Sequence, residues 1–415
     1  VSKILWLSDG GCSTGFGRVT HEIGERLVRD YGHEVHVLAV NYRGDAYPGL
    51  LDPAKPTPLY LYQPTQLDPK DVYGMSRMIE MLGRVEPDVV VSLNDPQILL
   101  TMLFSNRLDP QRVLLSYRPI ISYTPCDGTN LPLAWQILGA ATNLLAMSQW
   151  GAQQYPNSRV VYHGVDSEHF WPVSDRRPIK VGELVLRSKT DCKRVFGFPD
   201  DAFVVGRVDT NSERKDYPAT WKALVPFMNR HPDVRAHFHC GRKPGNAFGV
   251  DFDNLLSRVD DPKPDRFHFP EARSTYVGWP QEHMNALYNA FDVFISTSHG
   301  EGAGLTLMEA AACGVPIVAQ NVSAIPEYVG PGAILLEPER LITVPSGEDQ
   351  WLPDIDAFTD ALERLYKSRG MRRDLGAAGR EHVSQFGWET PAEQFDEYIR
   401  ALAAMPKAEP ASMTG

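Results

Sequence analysis

Glu301 and Glu309 stand eight positions apart in the stretch "HGEGAGLTLMEAAACGVP" (299–316), with Gly302, Ala303 and Gly304 between them and an apolar, helix-like run after them. The first amides of a helix have no partner inside it and favour anions. Glycines let a ligand approach the main chain. Carboxylates on either side of such a turn accept hydrogen bonds from vicinal hydroxyls. The combination suits a ligand that carries both hydroxyls and phosphate. The plainer alternative is a strand–loop–helix turn in which Glu309 only favours the helix dipole.

A second group of charges lies in "GRVDTNSERKDYP" (206–218), where Arg207, Arg214 and Lys215 offer cations to a phosphate. A solvated basic loop is the competing reading. A third group, "SDGGCSTGFGRVTHEIGERL" (8–27), is glycine-rich and opens a helix. It suggests a dinucleotide fingerprint, but Gly10, Gly11, Gly15 and Gly17 do not fall into a clean G-x-G-x-x-G. "HEVHVLAVNYRGD" also lacks the acidic residue that such a site needs soon afterwards. In "ISYTPCDGTNLP" (121–132), Asp127 sits just past an expected strand, where it binds a ligand hydroxyl, orients a second substrate or caps a turn.

The metal-ligand search is negative. His237 and His239 in "HFHC" alternate along a strand and share a face, which predicts a buried, hydrogen-bonded pair, because no third ligand stands at zinc spacing. Asp251 and Asp253 in "DFD" read as a helix-entry cap. No metal requirement is expected.

These groups need strand ends to carry them, and the chain supplies them. Apolar runs at 3–8, 34–40, 88–93, 120–124, 143–148 and 159–164 form one series, and runs at 202–208, 235–240, 292–298, 315–320 and 333–337 form another. Helix-like segments such as 17–30, 217–230 and 280–291 lie between them. Continuous apolar strands separated by helices predict parallel sheets covered on both faces. Ligands then bind at the carboxyl ends of the strands. The polar, basic interruption at 173–194 places a domain boundary near 165–180. The expected division is 1–170, 171–385, a terminal helix at 386–405 and a disordered tail at 406–415.

The 415 residues, 43% hydrophobic with eight tryptophans, suffice for two cores and exclude global disorder. A net charge of -11 argues against non-specific nucleic-acid binding through the overall field. The basic run Arg187, Lys189, Lys193 and Arg194 permits a local contact with DNA, but an ordinary solvated helix face is the favoured reading. Five scattered cysteines without a CxxC pair fit a reducing, cytoplasmic setting. No signal peptide or membrane span is expected.

"EGAGLTLMEAAACGVPIVA" resembles the E-x7-E signature of family 4 glycosyltransferases, retaining enzymes of the two-domain GT-B fold. "TYVGWPQEHMNALYNAFDVFISTSHGEG", "SAIPEYVGPGAILLEP", "LGAAGREHVSQFGWETPAEQFDEYI" and "VVYHGVDSEHFWP" are similar to that family in content and order, over roughly 155–405. The resemblance implies two Rossmann-like domains facing a central cleft, with the final helices around Trp388 returning to the first. It implies a UDP- or GDP-linked sugar as co-substrate, no cofactor, and transfer to a hydroxyl of a small molecule, glycan, lipid, protein or modified nucleobase.

Residue by residue, it assigns Glu301 to the donor sugar and Glu309 to the ribose hydroxyls. Gly302, Ala303, Gly304 and Leu305 would lie near the sugar and diphosphate, and Ala303 replaces the family's usual aromatic residue. Lys215 and either Arg207 or Arg214 would meet the diphosphate. Gly11, Ser13, Thr14 and Gly15 match the loop that closes over donor and acceptor. Asp127 stands where many members have a histidine. The segments "TGFGRVTHEIGERL" and "NYRGD" resemble phage and prokaryotic members whose acceptors include modified nucleobases and virion proteins. Rival readings are a GT-B epimerase or sugar-phosphate synthase, a nicotinamide-dependent oxidoreductase and a non-catalytic sugar-binding module. A monomer or homodimer is expected.

Overall fold

The computed structural model describes residues 1–12, 14–42, 57–64, 71, 73–104, 119–244, 249–257, 264–271 and 278–405. The chain divides into two compact units. One comprises 1–126, 130–164 and the chain from Trp388 onward; the other comprises Asp127–Thr129 and Val165–Gly387.

In the first unit, strands β1 (Lys3–Asp9), β2 (Glu34–Val40), β3 (Tyr60–Tyr62), β4 (Val89–Leu93), β5 (Ile120–Thr124), β6 (Asn143–Ala146) and β7 (Arg159–Val160) form a sheet in the order β3-β2-β1-β4-β5-β6-β7. Every pairing in it is parallel. The inner strands β1, β2, β4 and β5 are buried along most of their length, which is why they read as unbroken apolar runs rather than alternations. Strand order reverses between β1 and β4, so the glycine-rich loop after β1 sits at the switch point. Helix Glu389–Ala403 packs in this unit, as the resemblance implied: Phe395 meets Trp6 at 5.5 Å and Tyr123 at 5.3 Å between ring centroids, and Asp396 bonds His33 at 2.7 Å.

The second unit opens with an antiparallel hairpin, β8 (Ile179–Val181) and β9 (Leu184–Leu186). Strands β10 (Phe203–Val208), β11 (Val234–His239), β12 (Phe267–His268), β13 (Val293–Ser296), β14 (Ile317–Gln320) and β15 (Ala333–Leu336) follow. They pair in parallel in the order β12-β11-β10-β13-β14-β15. Helices Tyr217–Arg230 and Ile355–Lys367 bury Trp221, Phe227, Phe358 and Leu362 against Phe203, Val205 and Phe238 of the sheet. A second antiparallel hairpin, β16 (Pro338–Thr343) and β17 (Asp349–Pro353), lies outside the sheet. Here the order reverses between β10 and β13, so these neighbours deliver the loops 209–216 and 297–304 side by side.

One reading of side chains holds for the most part and another changes. The basic run is largely a solvated face, with Arg187, Lys189 and Arg194 exposed; only Lys193 is buried, and it pairs with Asp292 at 2.8 Å, as Lys189 does at 3.1 Å. The polar interruption carries regular structure of its own, β8, β9 and the start of helix Lys189–Val195. His237 and His239 do share a face, with ring centroids 5.8 Å apart, but they are not a hydrogen-bonded pair. Neither ring nitrogen of His237 has a hydrogen-bond partner among the described residues, because aromatic rings of Phe198 and Phe291 pack around it. Burial holds both histidines below the usual imidazole range, His239 at about 4.

Candidate functional site

Glu301 follows β13, and its side chain is 8% exposed. One carboxylate oxygen lies 2.5 Å from Lys215 Nζ and the other 3.1 Å from an Arg214 guanidinium nitrogen. Burial opposes ionisation of Glu301, but Lys215 and Arg214 outweigh it and hold the group below the usual carboxylate range. A carboxyl so placed is an anion at neutral pH and an acceptor of hydroxyl protons, not a proton donor. Its amide donates to Ser323 Oγ at 2.8 Å, and its carbonyl accepts from the Ala324 amide at 3.3 Å, which fixes the loop.

The cations are bridged further. Lys215 Nζ also lies 2.7 Å from Asp209, and Arg214 Nε lies 3.1 Å from Asp127. Arg207 has a different place. It is fully buried, stacked 4.3 Å from the Tyr217 ring centroid, and it donates to Thr297 Oγ1 at 2.7 Å, to Thr220 Oγ1 and to the Lys215 carbonyl. It also pairs with Asp209 at 3.3 Å. Arg207 therefore braces the loop that carries Lys215, while Arg214, 30% exposed, is the arginine with access to solvent. Asp209, Ser323 and Tyr288 are members of this environment that the sequence reading did not single out. Asp209 was visible as the acid directly after β10, but its pairing with two cations depends on the loop's path.

Helix Leu305–Ala312 begins at Gly304, whose φ of +86° is a left-handed conformation that favours glycine. Its first hydrogen bonds run from the Leu307 and Met308 amides to the Gly304 carbonyl, so the amides of Leu305 and Thr306 have no partner within the helix. Gly302 and Ala303 are buried in the turn. Glu309 lies in the second turn, half-buried, and the fully buried Tyr288 hydroxyl donates to it at 2.6 Å. Burial and then Glu309 push the Tyr288 phenol well above its ordinary pKa, so it stays a donor and orients the carboxylate. One helix start thus carries both glutamates, with the cations on the Glu301 side.

Of the other candidates, Asp127 joins the second unit and its carboxylate faces Arg214. Gly11, Thr14 and Gly15 belong to the first unit, and Ser13 lies outside the described residues. A Cβ on Gly11 would lie 2.0 Å from the Tyr42 ring, so packing accounts for this glycine. Thr14 caps helix Gly15–Arg29 by accepting from the Gly17 amide at 3.0 Å and donates to Asp9 at 2.5 Å. Asn41, the residue after β2, donates to Asp9 at 3.0 Å. Asp251 caps helix Phe252–Leu256, and both carboxylates of "DFD" are taken by Lys243, with Arg242 also on Asp253.

Comparison with known proteins gives a consistent picture. The glycosyl transferases group 1 family matches residues 201–368. D-inositol 3-phosphate glycosyltransferase of Corynebacterium urealyticum is 26% identical over 255 residues, covering 61% of this chain and 53% of that protein. O-antigen chain mannosyltransferase B of Escherichia coli is 23% identical over 259 residues, covering 56% and 64%. The chain thus spans between half and two thirds of the length of these relatives. Among solved structures, sucrose-phosphate synthase from Thermosynechococcus elongatus superposes with a TM-score of 0.68 at 18% identity, covering 97% of this chain and 100% of the other. Anabaena HepE, solved with UDP and glucose, gives 0.62 at 17%, covering 97% and 100%. The fold is that of the GT-B glycosyltransferases. Glu301, Glu309, Arg214 and Lys215 all lie within residues 201–368, the segment that matches the glycosyl transferases group 1 family.

Proposed function

We propose that the protein is a retaining, metal-independent glycosyltransferase that moves a sugar from a UDP- or GDP-linked donor to a hydroxyl acceptor. The observation that carries this reading is Glu301 held as an anion between Lys215 and Arg214, at the start of the helix that also bears Glu309. Glu309, oriented by Tyr288, accepts from the ribose hydroxyls. The helix start and the two cations receive the diphosphate. As the glycosidic bond breaks, negative charge builds on the departing phosphate, and Lys215 and Arg214 stabilise it in place of a metal. Glu301 accepts from a donor-sugar hydroxyl and sets the sugar's angle to the phosphate.

With Glu301 committed to two cations, no carboxylate is left as a free nucleophile in this cluster. Front-face attack, with the departing phosphate taking the acceptor's proton, is the mechanism that these groups support. The nicotinamide alternative loses support from Asn41 and Asp9, which bond to each other where a dinucleotide site needs an acid for the ribose. DNA as acceptor draws less support from the basic run, since Lys193 is buried on Asp292, Lys189 pairs with the same carboxylate and Arg194 pairs with Asp200. The "NYRGD" segment that suggested nucleobase or protein acceptors lies mostly outside the described residues.

The test is a binding panel of UDP-glucose, UDP-galactose, GDP-mannose and NAD, followed by donor hydrolysis with each ligand that binds. Acceptors are then screened across inositol and hexose phosphates, glycans, proteins and hydroxymethylated DNA. Binding and turnover of one nucleotide sugar are expected, with the anomeric configuration kept in the product. Binding of NAD alone, or an inverted product, would overturn the reading.

A further inference from the structure

Strand β17 holds three separate stretches of chain that carry the charge cluster. Its first residue, Asp349, exchanges two main-chain hydrogen bonds of 2.8 Å with Thr129. Two residues on, the Trp351 amide donates to the His299 carbonyl at 3.2 Å, and the Trp351 carbonyl accepts from Gln320 Nε2 at 3.2 Å. The His299 amide in turn donates to the Arg214 carbonyl at 2.9 Å. One strand therefore sets the register of the segments that bear Asp127, Glu301 and Arg214, whose side chains then meet at 3.1 Å.

Two glycines allow the approach. A Cβ on Gly128 would lie 2.6 Å from the Asp349 carbonyl oxygen, and one on Gly300 would lie 1.7 Å from the Asp127 carbonyl oxygen. Both obstacles are main-chain atoms, which cannot rotate away as a side chain can. Neither glycine has a positive φ, so close contact, not backbone conformation, is what demands them. The hairpin is itself braced: Thr343 Oγ1 donates to Asp349 Oδ1 at 2.6 Å, and the Val344 amide donates to the Glu348 carbonyl at 2.9 Å.

We propose that the β16–β17 hairpin is a positioning device for the site, acting through Gly128 and Asp127 on Arg214. The strand fixes 127–129, the Asp127 carboxylate fixes the guanidinium, and the guanidinium reaches Glu301 in one orientation. This rests on the function proposed above for what the site does, and its own content is which element aligns it. Gly128 and Thr343 touch no substrate; they are positioning residues.

The experiment measures hydrolysis of UDP-glucose and GDP-mannose, and the Kd for UDP and GDP, in Gly128→Ala, Thr343→Val, Asp127→Asn and the double variants. Ser346→Ala, at the exposed hairpin tip, is the control. Gly128→Ala should lower kcat by roughly 10- to 100-fold, the scale of a misplacement near 1 Å, with nucleotide Kd within about twofold of wild type. Thr343→Val should lower kcat less, by about threefold to tenfold. Because the path runs through Asp127, adding either change to Asp127→Asn should cost little more, a non-additivity that general loss of stability would not produce. Wild-type kcat in Gly128→Ala, or losses that simply add to those of Asp127→Asn, would overturn the proposal. If Gly128→Ala does not fold, Thr343→Val and its cycle with Asp127→Asn decide. If the wild type turns over no nucleotide sugar of the panel above, the functional reading fails, and hydrogen exchange decides this one. Peptides covering 213–215 and 298–301 must then exchange faster in Thr343→Val than in Ser346→Ala, and equal rates would refute the clamp.

Discussion

Replacing Glu301 with glutamine keeps the side chain's shape and removes its charge. Breaking a buried ion pair by deleting one partner costs about 3–5 kcal/mol when the other is left alone. Here neither cation is abandoned, because Lys215 keeps Asp209 at 2.7 Å and Arg214 keeps Asp127 at 3.1 Å. The expected loss of stability at neutral pH is therefore smaller, about 1–2 kcal/mol. The sign with pH follows from the depressed pKa of Glu301. Its stabilising contribution is complete above the ordinary glutamate value of 4.5 and is lost as pH falls through the lower folded value. Urea titrations at pH 7 and pH 4 should thus show the gap between wild type and variant shrinking in acid. Turnover should suffer more than binding. A charge-assisted hydrogen bond is worth about 1.5–3 kcal/mol, so kcat should fall roughly 10- to 100-fold while the Kd for UDP or GDP stays within about twofold. Glu301→Gln with kcat within about threefold of wild type would refute the role assigned to the carboxylate.

Three further outcomes are expected. Glu309→Ala should weaken UDP or GDP binding by about tenfold or more in calorimetry, since charge-assisted bonds to the ribose are lost; an unchanged Kd would remove Glu309 from the nucleotide site. Arg207→Met should cost about 1–3 kcal/mol in urea unfolding, because Thr220, Thr297 and the Lys215 carbonyl lose a buried donor while Asp209 keeps Lys215 at 2.7 Å; an unchanged unfolding free energy would show that the guanidinium does not brace the loop. His163 is buried beside Tyr123 and Trp388, and burial lowers its pKa from 6.5 to about 3. The unfolded chain takes up this proton below pH 6.5 and the folded chain does not, so stability falls with acid by about 1.4 kcal/mol per pH unit down to about pH 3. His163→Phe should flatten the unfolding free energy between pH 6 and 4 by that slope, and an unchanged slope would contradict the assignment.

The main sheets were legible because a strand buried on both faces has to be apolar throughout. "EVHVLAV" and "IISYT" became β2 and β5 at the residues expected, and "YPATWKALVPFMNR" became the helix Tyr217–Arg230. Short edge strands such as β3 and β12 were missed, since two or three residues carry no period. The hairpin β16–β17 was missed because its exposed residues alternate weakly and only its tertiary neighbours give it a role. Of the site, the two glutamates, Lys215 and the helix start could be named from residue types and order.

What the sequence alone determined is the run of strand, glycine turn and acid, because local backbone geometry and burial demand those residue types in that order. Which cation faces the site was decided only by the tertiary structure. Arg207 and Arg214 are seven positions apart, one near the end of β10 and the other in the loop that follows; the first turns inward onto Thr220 and Thr297, and the second reaches Asp127 and Glu301. Lys215 and Glu301 are 86 residues apart, and they meet because β10 and β13 are neighbours at the point where the strand order reverses. The energy of an ion pair depends on separation and burial, and those distances exist only once the sheet has brought the two loops together.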